Sequence, residues 1–194
     1  MTTPDSVHPD HAWAASLERL LDQAWKRLGR GVADRRAPAR HPTLATVDRA
    51  GLPQARTVVL RSAEREPGIL RLYTDRHANK VDELRANPHA ALHVWDKIAH
   101  LQMRALCSAV VHTGASLEPV WAQLSTHARR CYGFHPASGG PIGDGLAYQK
   151  WPDLAAFAVL ELTIERLELL YLGRQHRRAR FCRDDDWAGQ WLVP

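Results

Sequence analysis

Three cysteines, Cys107, Cys131 and Cys182, are too few and too far apart for a disulfide framework or a CxxC zinc site. They are expected to be reduced. No apolar run approaches the roughly 18 residues that a membrane span needs, so no membrane partner is expected. Proline and glycine, twelve of each, are too scarce for a disordered or collagen-like chain. The first residues, MTTPDSVHPDH, have neither the basic start nor the apolar stretch of a secretory signal. A cytoplasmic setting is the expectation. Acidic residues are also in deficit: 26 Lys and Arg against 21 Asp and Glu give a formal charge of +5, and eleven histidines add to it below neutral pH. The excess suits an anionic partner without choosing among a phosphate cofactor, a nucleic acid and a solvated basic surface.

What the sequence has is ordinary globular composition, 45% hydrophobic and 24% charged over 194 residues, enough for one domain. Trp13, Leu17, Leu20, Leu21, Trp25 and Leu28 recur at helical spacing, so residues 10–29 are expected to form an amphipathic helix ended by Gly29 and Gly31. From Thr43 the period changes to two. Strands are expected at Thr43–Val47 and Gln54–Arg61, joined through Gly51 and Pro53, then at Ile69–Thr74, His89–Trp95 and His100–Val111, with a short helix at Ala78–Ala86. Residues 116–132 read as a third helix and 133–150 as a long glycine-rich loop. The tail, 156–194, reads as further strands, with a turn at Asp184–Asp186. The sum is a mainly β (α+β) single domain of six to seven antiparallel strands, a closed or partly closed barrel with peripheral helices.

Three clusters place basic or amide groups in strand-like sequence. In Arg56-Thr57-Val58-Val59-Leu60-Arg61, alternation sends Arg56, Val58 and Leu60 to one face and Thr57, Val59 and Arg61 to the other. An arginine on an apolar face suits a phosphate, whose oxygens match its planar fork. The blander role is a rim arginine covering the barrel end. The second cluster, Leu72-Tyr73-Thr74-Asp75 with His77-Ala78-Asn79-Lys80, runs from a strand end into a helix start. There the Thr74 hydroxyl, the first helical amides and Lys80 can converge on an anion; an ordinary helix start with a solvated Lys80 is the alternative. The third, Leu101-Gln102-Met103-Arg104, offers an amide to the edge of a planar heterocycle.

The order of these motifs resembles that of the pyridoxamine 5'-phosphate oxidase-like, FMN-binding split-barrel proteins. The resemblance runs through Ala45-Thr46-Val47-Asp48, Gly51-Leu52-Pro53, Ala55–Arg61, Leu72–Asp75, Asn79-Lys80, Glu83-Leu84, Asn87-Pro88, Val94-Trp95 and Leu101-Gln102, and returns in the tail. It implies a homodimer with FMN between the subunits. The residues matching Arg56 and Lys80 would bind the FMN phosphate, and Thr57 to Arg61 with Tyr73 and Thr74 would border ribityl and ring. Gln102 would reach the isoalloxazine, and Arg180 would contact FMN. The chain departs from the oxidases in several places. Asn79 replaces a phosphate-binding arginine, Arg61 a substrate-binding lysine, and Leu170 a tryptophan near the flavin. His176 and Arg178 are exchanged in type relative to the family's Arg-x-His. Arg129, Arg130 and Ser138 do not reproduce the spacing of the oxidases' remaining substrate-phosphate group. A subfamily of small proteins shares the Val-Trp-Asp and His-Arg-Arg-x-Arg-Phe features.

The resulting expectation is a flavin-dependent oxidoreductase passing a hydride from a small, anionic substrate to FMN, with His176 and Arg178 as catalytic residues. Two other classes are weighed against it. One is a non-catalytic flavin- or haem-binding module, for which His93, His112 and His127 are candidate ligands without metal-ligand spacing. The other is nucleic-acid binding through Arg174–Arg183, against which stand scattered basic residues and the absence of a recognised motif.

Overall fold

The computed structural model describes residues 10–194. A 3-10 turn at Ala12–Ala15 leads into helix α1, Leu17–Ala33. Ser16 separates the two as an N-cap, its hydroxyl accepting from Arg19 N at 3.3 Å. The expected helix is therefore split at its start, and it runs beyond the expected stop at Gly29 and Gly31. Gly31 is needed inside the helix because a Cβ there would meet Ala39 backbone at 2.6 Å. α1 buries Leu20, Leu21, Ala24, Trp25 and Leu28 against the sheet.

Eleven strands follow: β1 Thr43–Val47, β2 Pro53–Thr57, β3 Leu60–Glu64, β4 Ile69–Asp75, β5 His89–Asp96, β6 Leu101–Thr113, β7 Phe134–His135, β8 Gln149–Lys150, β9 Phe157–Tyr171, β10 Arg177–Cys182 and β11 Gly189–Leu192. Helix α2 spans Asn79–Ala86, α3 Glu118–Gln123 and α4 Thr126–Arg129. Nine strands form one antiparallel sheet, in the order β11-β10-β9-β6-β5-β1-β2 with β4 and β3 branching from β9. It is not a closed barrel, its nine strands exceed the expected six or seven, and two segments depart from their expected course. Gln54–Arg61 is not one strand: Val58 N bonds Pro42 O at 2.9 Å, the chain turns there, and the simple alternation of faces fails. The tail strand is a single 15-residue β9, whose first half pairs with β4 and second half with β10 while β6 runs along its whole other edge.

The helix expected at 116–132 is also broken. Leu124 is extended and Ser125 starts a new turn, its hydroxyl accepting from Ala128 N at 3.2 Å. Within 133–150, β7 and β8 pair into a small flap. At the other end Asp184 and Asp185 lie in a short 3-10 turn and Asp186 is left-handed, φ 49°.

Register assigns each strand residue to a face. Arg56 lies in the row Arg56, Leu44, Leu92, Ala105, Leu167, Phe181, which is the core side. Gln102 lies in the row Trp95, Gln102, Leu170, Arg178, Leu192, and Arg180 in the next outward row, His93, Arg104, Glu168, Arg180, Gln190. These two rows face away from the core. No helix among the described residues is long and apolar enough to cross a membrane.

Candidate functional site

The junction of β4 and α2 is built around Asp75, which is buried at the strand end. Its carboxylate accepts from His77 N at 2.9 Å and from Gly133 N at 2.8 Å, and its carbonyl accepts from Ala78 N at 3.1 Å. These bonds turn the chain into α2. Ala78 provides no side-chain cap, so the first-turn amides of Asn79 and Lys80 are left without an intrahelical partner. Lys80 Nζ donates to Thr74 Oγ1 at 3.1 Å. From β2, Arg56 donates to Thr46 Oγ1 and, through Nη2, to Glu83 Oε2 at 2.8 Å. The Thr46 hydroxyl donates to the same Glu83 oxygen at 2.5 Å.

Two cations thus share one small, half-buried space. Burial first, and then the Arg56 charge, hold the Lys80 ammonium below its ordinary value, against the opposing pull of Glu83 and Asp75. An anion placed there would relieve both effects, and first-turn amides beside a lysine and an arginine are the donor set that a phosphate takes.

Arg61 occupies a second, aromatic environment. Its guanidinium carbon lies 5.7 Å from the centre of the Tyr73 ring, and its buried Nε has no hydrogen-bond partner. Tyr132, 4% exposed, stands close by. Burial pushes the Tyr132 hydroxyl up to about 12 while the neighbouring Arg61 acts in the other direction. Tyr73, Trp121, Tyr132 and Phe157 form one aromatic group, with ring centres 4.8–6.2 Å apart.

On the outward face Arg178 donates to Glu168 Oε1 from Nε at 3.1 Å and Nη2 at 2.9 Å, and Arg104 Nη2 reaches the same oxygen at 2.8 Å. Arg180 Nη2 donates to Gln190 Oε1 at 2.6 Å. His176 is exposed, one residue before β10. The flap reaches back to α2: a Cβ on Gly139, φ +88°, would come within 2.7 Å of Asn79 Oδ1.

Residues 32–171 match the family model described as pyridoxamine 5'-phosphate oxidase. The chain belongs to the pyridoxamine 5'-phosphate oxidase family. It is 41% identical over 167 residues to the pyridoxine/pyridoxamine 5'-phosphate oxidase of Microcystis aeruginosa, covering 86% of this chain and 69% of that protein. Its fold is similar to that of a pyridoxamine 5'-phosphate oxidase-related, FMN binding protein from Nostoc punctiforme, with TM-score 0.72, 25% identity, and coverage of 89% of this chain and 96% of that one. It is also similar in fold to PhzG from Burkholderia lata, solved with tetrahydrophenazine-1-carboxylic acid. There the TM-score is 0.68 at 18% identity, over 100% and 98% of the two chains. Family membership supports a flavin-binding oxidoreductase type of function.

The structure sorts this family member's expected site residues into separate groups. Arg56, Thr74, Asn79 and Lys80 gather at the β4–α2 junction, and Tyr73 and Arg61 lie beside the aromatic group. Thr57 is exposed; Val58 and Val59 are half-buried in the turn between β2 and β3. Leu60 is fully buried, and its carbonyl accepts from Arg40 Nη1 at 3.3 Å. Gln102, Arg178 and Arg180 occupy the outward rows, away from the core face that carries Arg56. The haem candidates His93, His112 and His127 lie on β5, β6 and α4, and no group of three metal-binding side chains occurs among the described residues.

Sequence reading attached no role to Thr46, Glu83, Asp75, Glu168, Arg104 and Tyr132. Thr46, Asp75 and Glu83 fall within the motifs that carry the resemblance, and the signal available was a carboxylate facing inward on an otherwise apolar pattern. Tyr132 and Glu168 had no local signal, because their partners are brought to them by long-range pairing.

Proposed function

We propose that this chain is a flavin-dependent oxidoreductase that holds FMN by its phosphate at the β4–α2 junction and acts on a small anionic substrate. The observation that carries the reading is the convergence of Arg56 and Lys80 beside Thr74 and the open first turn of α2. Two cations, one with its charge already disfavoured by burial, fit a phosphate dianion. Glu83 and Thr46 hold the Arg56 fork in place from behind. Family membership and the FMN-binding Nostoc relative support the same cofactor.

When bound, FMN supplies the redox chemistry, taking a hydride from the substrate. The protein's own part is to bind, orient and exclude water. Tyr73 and Thr74 would line the flavin beside the phosphate, and Asn79, held close to Gly139, would link the phosphate end to the flap. Arg61, half-buried over Tyr73 without a carboxylate partner, would receive the substrate's acidic group, with the Tyr132 hydroxyl beside it.

Gln102, Arg178 and Arg180 lie on the opposite side of the sheet from Arg56, so both groups would serve one flavin only if a second copy supplied one of them. A homodimer with FMN between its subunits satisfies this requirement. In it Arg178, aimed by Glu168, and His176 would hold or protonate the substrate, a role imidazole suits near neutral pH. Three free thiols, of which Cys131 is exposed, support a cytoplasmic setting.

The test is to purify the protein, record its visible spectrum with and without added FMN, and add amine, alcohol and pyridine-nucleotide donors anaerobically. A two-banded flavin spectrum that bleaches with one donor is expected. A protein that stays colourless in excess FMN would contradict the reading. A stable yellow protein that no donor bleaches would reduce it to a flavin-binding module.

A further inference from the structure

A cleft of about 800 Å³ lies apart from the β4–α2 junction and contains neither Arg56 nor Lys80. It lies between the second half of α1, the connector to β1 and the β5–β6 turn. A cavity of several hundred Å³ is in the range of small-molecule sites. Its walls differ in character. The α1 side carries Lys26, Arg27 and Arg30, and the connector adds Arg36, while Pro38, Ile98 and Met103 make an apolar side.

Two carboxylates answer the four cations. Arg27 Nε pairs with Asp96 Oδ2 at 3.0 Å, and Arg30 Nη2 with Asp34 Oδ2 at 3.1 Å. Among the described residues, the Lys26 and Arg36 side chains form no ion pair, and Asp34 is already engaged by Arg30 and by the Arg36 backbone amide at 2.9 Å. Lys26 and Arg30, one helical turn apart, repel each other. Cations near the end of a helix favour its dipole, which accounts for Arg30 in the last turn of α1. That effect fades within one turn, so it does not account for Lys26, nor for Arg36 outside the helix.

Two more features mark the cleft as built to receive something. Ile98, which lines it, is 77% exposed and offers an apolar surface beside the cations. His11, also lining it, has a buried Nε2 without a hydrogen-bond partner.

We propose that this cleft is a second anion site, separate from the β4–α2 junction, that binds a small organic phosphate. Lys26 and Arg36 take the phosphate and the apolar body rests on Pro38 and Ile98. The proposal stands independently of the flavin reading.

The experiment is calorimetric titration of the full chain with phenyl phosphate, and separately with inorganic phosphate. It compares wild type with Lys26→Gln/Arg36→Gln, Ile98→Ser and Lys80→Gln. Lys26, Arg36 and Ile98 are all exposed, so these variants retain the fold, which a thermal melt verifies. Phenyl phosphate is expected to bind wild type more tightly than inorganic phosphate. The double variant should lose about tenfold or more in affinity for both, and Ile98→Ser should weaken phenyl phosphate alone. Lys80→Gln, which removes a cation from the β4–α2 junction, should leave unchanged the affinity of the site that the double variant loses. The absence of binding to wild type, an affinity unchanged in the double variant, or a loss confined to Lys80→Gln would each overturn the proposal.

Discussion

The Arg56 guanidinium and the Glu83 carboxylate meet at 2.8 Å between β2 and α2, with side chains 23% and 9% exposed. Glu83 Oε2 also accepts the Thr46 hydroxyl, so one oxygen fixes an arginine and a threonine from two strands of the sheet. Removing the carboxylate leaves Arg56 beside Lys80 without its paired counter-charge. Glu83→Gln is expected to cost about 3 kcal/mol in urea unfolding of the ligand-free protein. A change below about 0.5 kcal/mol would mean that the pair does not organise the junction.

Lys80 gives a pH dependence with a defined sign. Its folded-state value lies below the ordinary 10.5, so between the two values the unfolded chain binds the extra proton. Stability therefore rises with pH as the folded lysine loses its charge, and the rise ends near 10.5. Below that window the charged Lys80 is a constant cost to the fold. Lys80→Met should flatten this rise in urea midpoints measured up to pH 10.5, and should make the ligand-free protein more stable at neutral pH. A variant less stable than wild type at pH 7 would contradict the assignment.

The flap depends on close backbone approach. At Gly133, φ +94°, an added Cβ would fall 1.9 Å from Trp151 O, while its amide is the one that Asp75 holds. Gly133→Ala is expected to release residues 134–150, with proteolytic cleavage there accelerated roughly tenfold or more, since local strain of about 1–3 kcal/mol falls on this segment. Global unfolding should move much less. Equal protection of the flap in both proteins would contradict this role for Gly133.

Arg104 and Arg178 share Glu168 Oε1, so their contributions cannot be independent. Removing either arginine leaves the other with an undivided partner, and the second removal should cost more than the first. A double-mutant cycle with Arg104→Ala and Arg178→Ala is expected to show a coupling of about 0.5–1 kcal/mol in unfolding free energy. Strict additivity would show that the shared carboxylate does not couple them.

The parts legible in the sequence were those set by local pattern. Period-two runs located β1, β4, β5 and β6, and the helical stripe from Leu17 to Leu28 located α1. The charged positions of the junction were also visible, because Arg56 falls in a strand-like run and Lys80 at a helix start that follows a strand end. Long-range contacts decided the rest. The break at Val58–Val59 comes from a bond to Pro42, and α1 runs past its glycines because Ala39 packs on Gly31. The separation of Arg56 from Gln102 and Arg178 appears only once the register of six strands is known. No spacing along the chain carries that information.

The central claim, that the β4–α2 junction is built for the phosphate of FMN, is tested most directly by comparing FMN with riboflavin, which differs only in lacking that phosphate. Quenching of flavin fluorescence gives both affinities for wild type and for Lys80→Gln. Wild type should prefer FMN by roughly a hundredfold, the worth of two charge-assisted contacts, and Lys80→Gln should lose about tenfold of that preference while its riboflavin affinity holds. Equal binding of FMN and riboflavin by wild type would contradict the account.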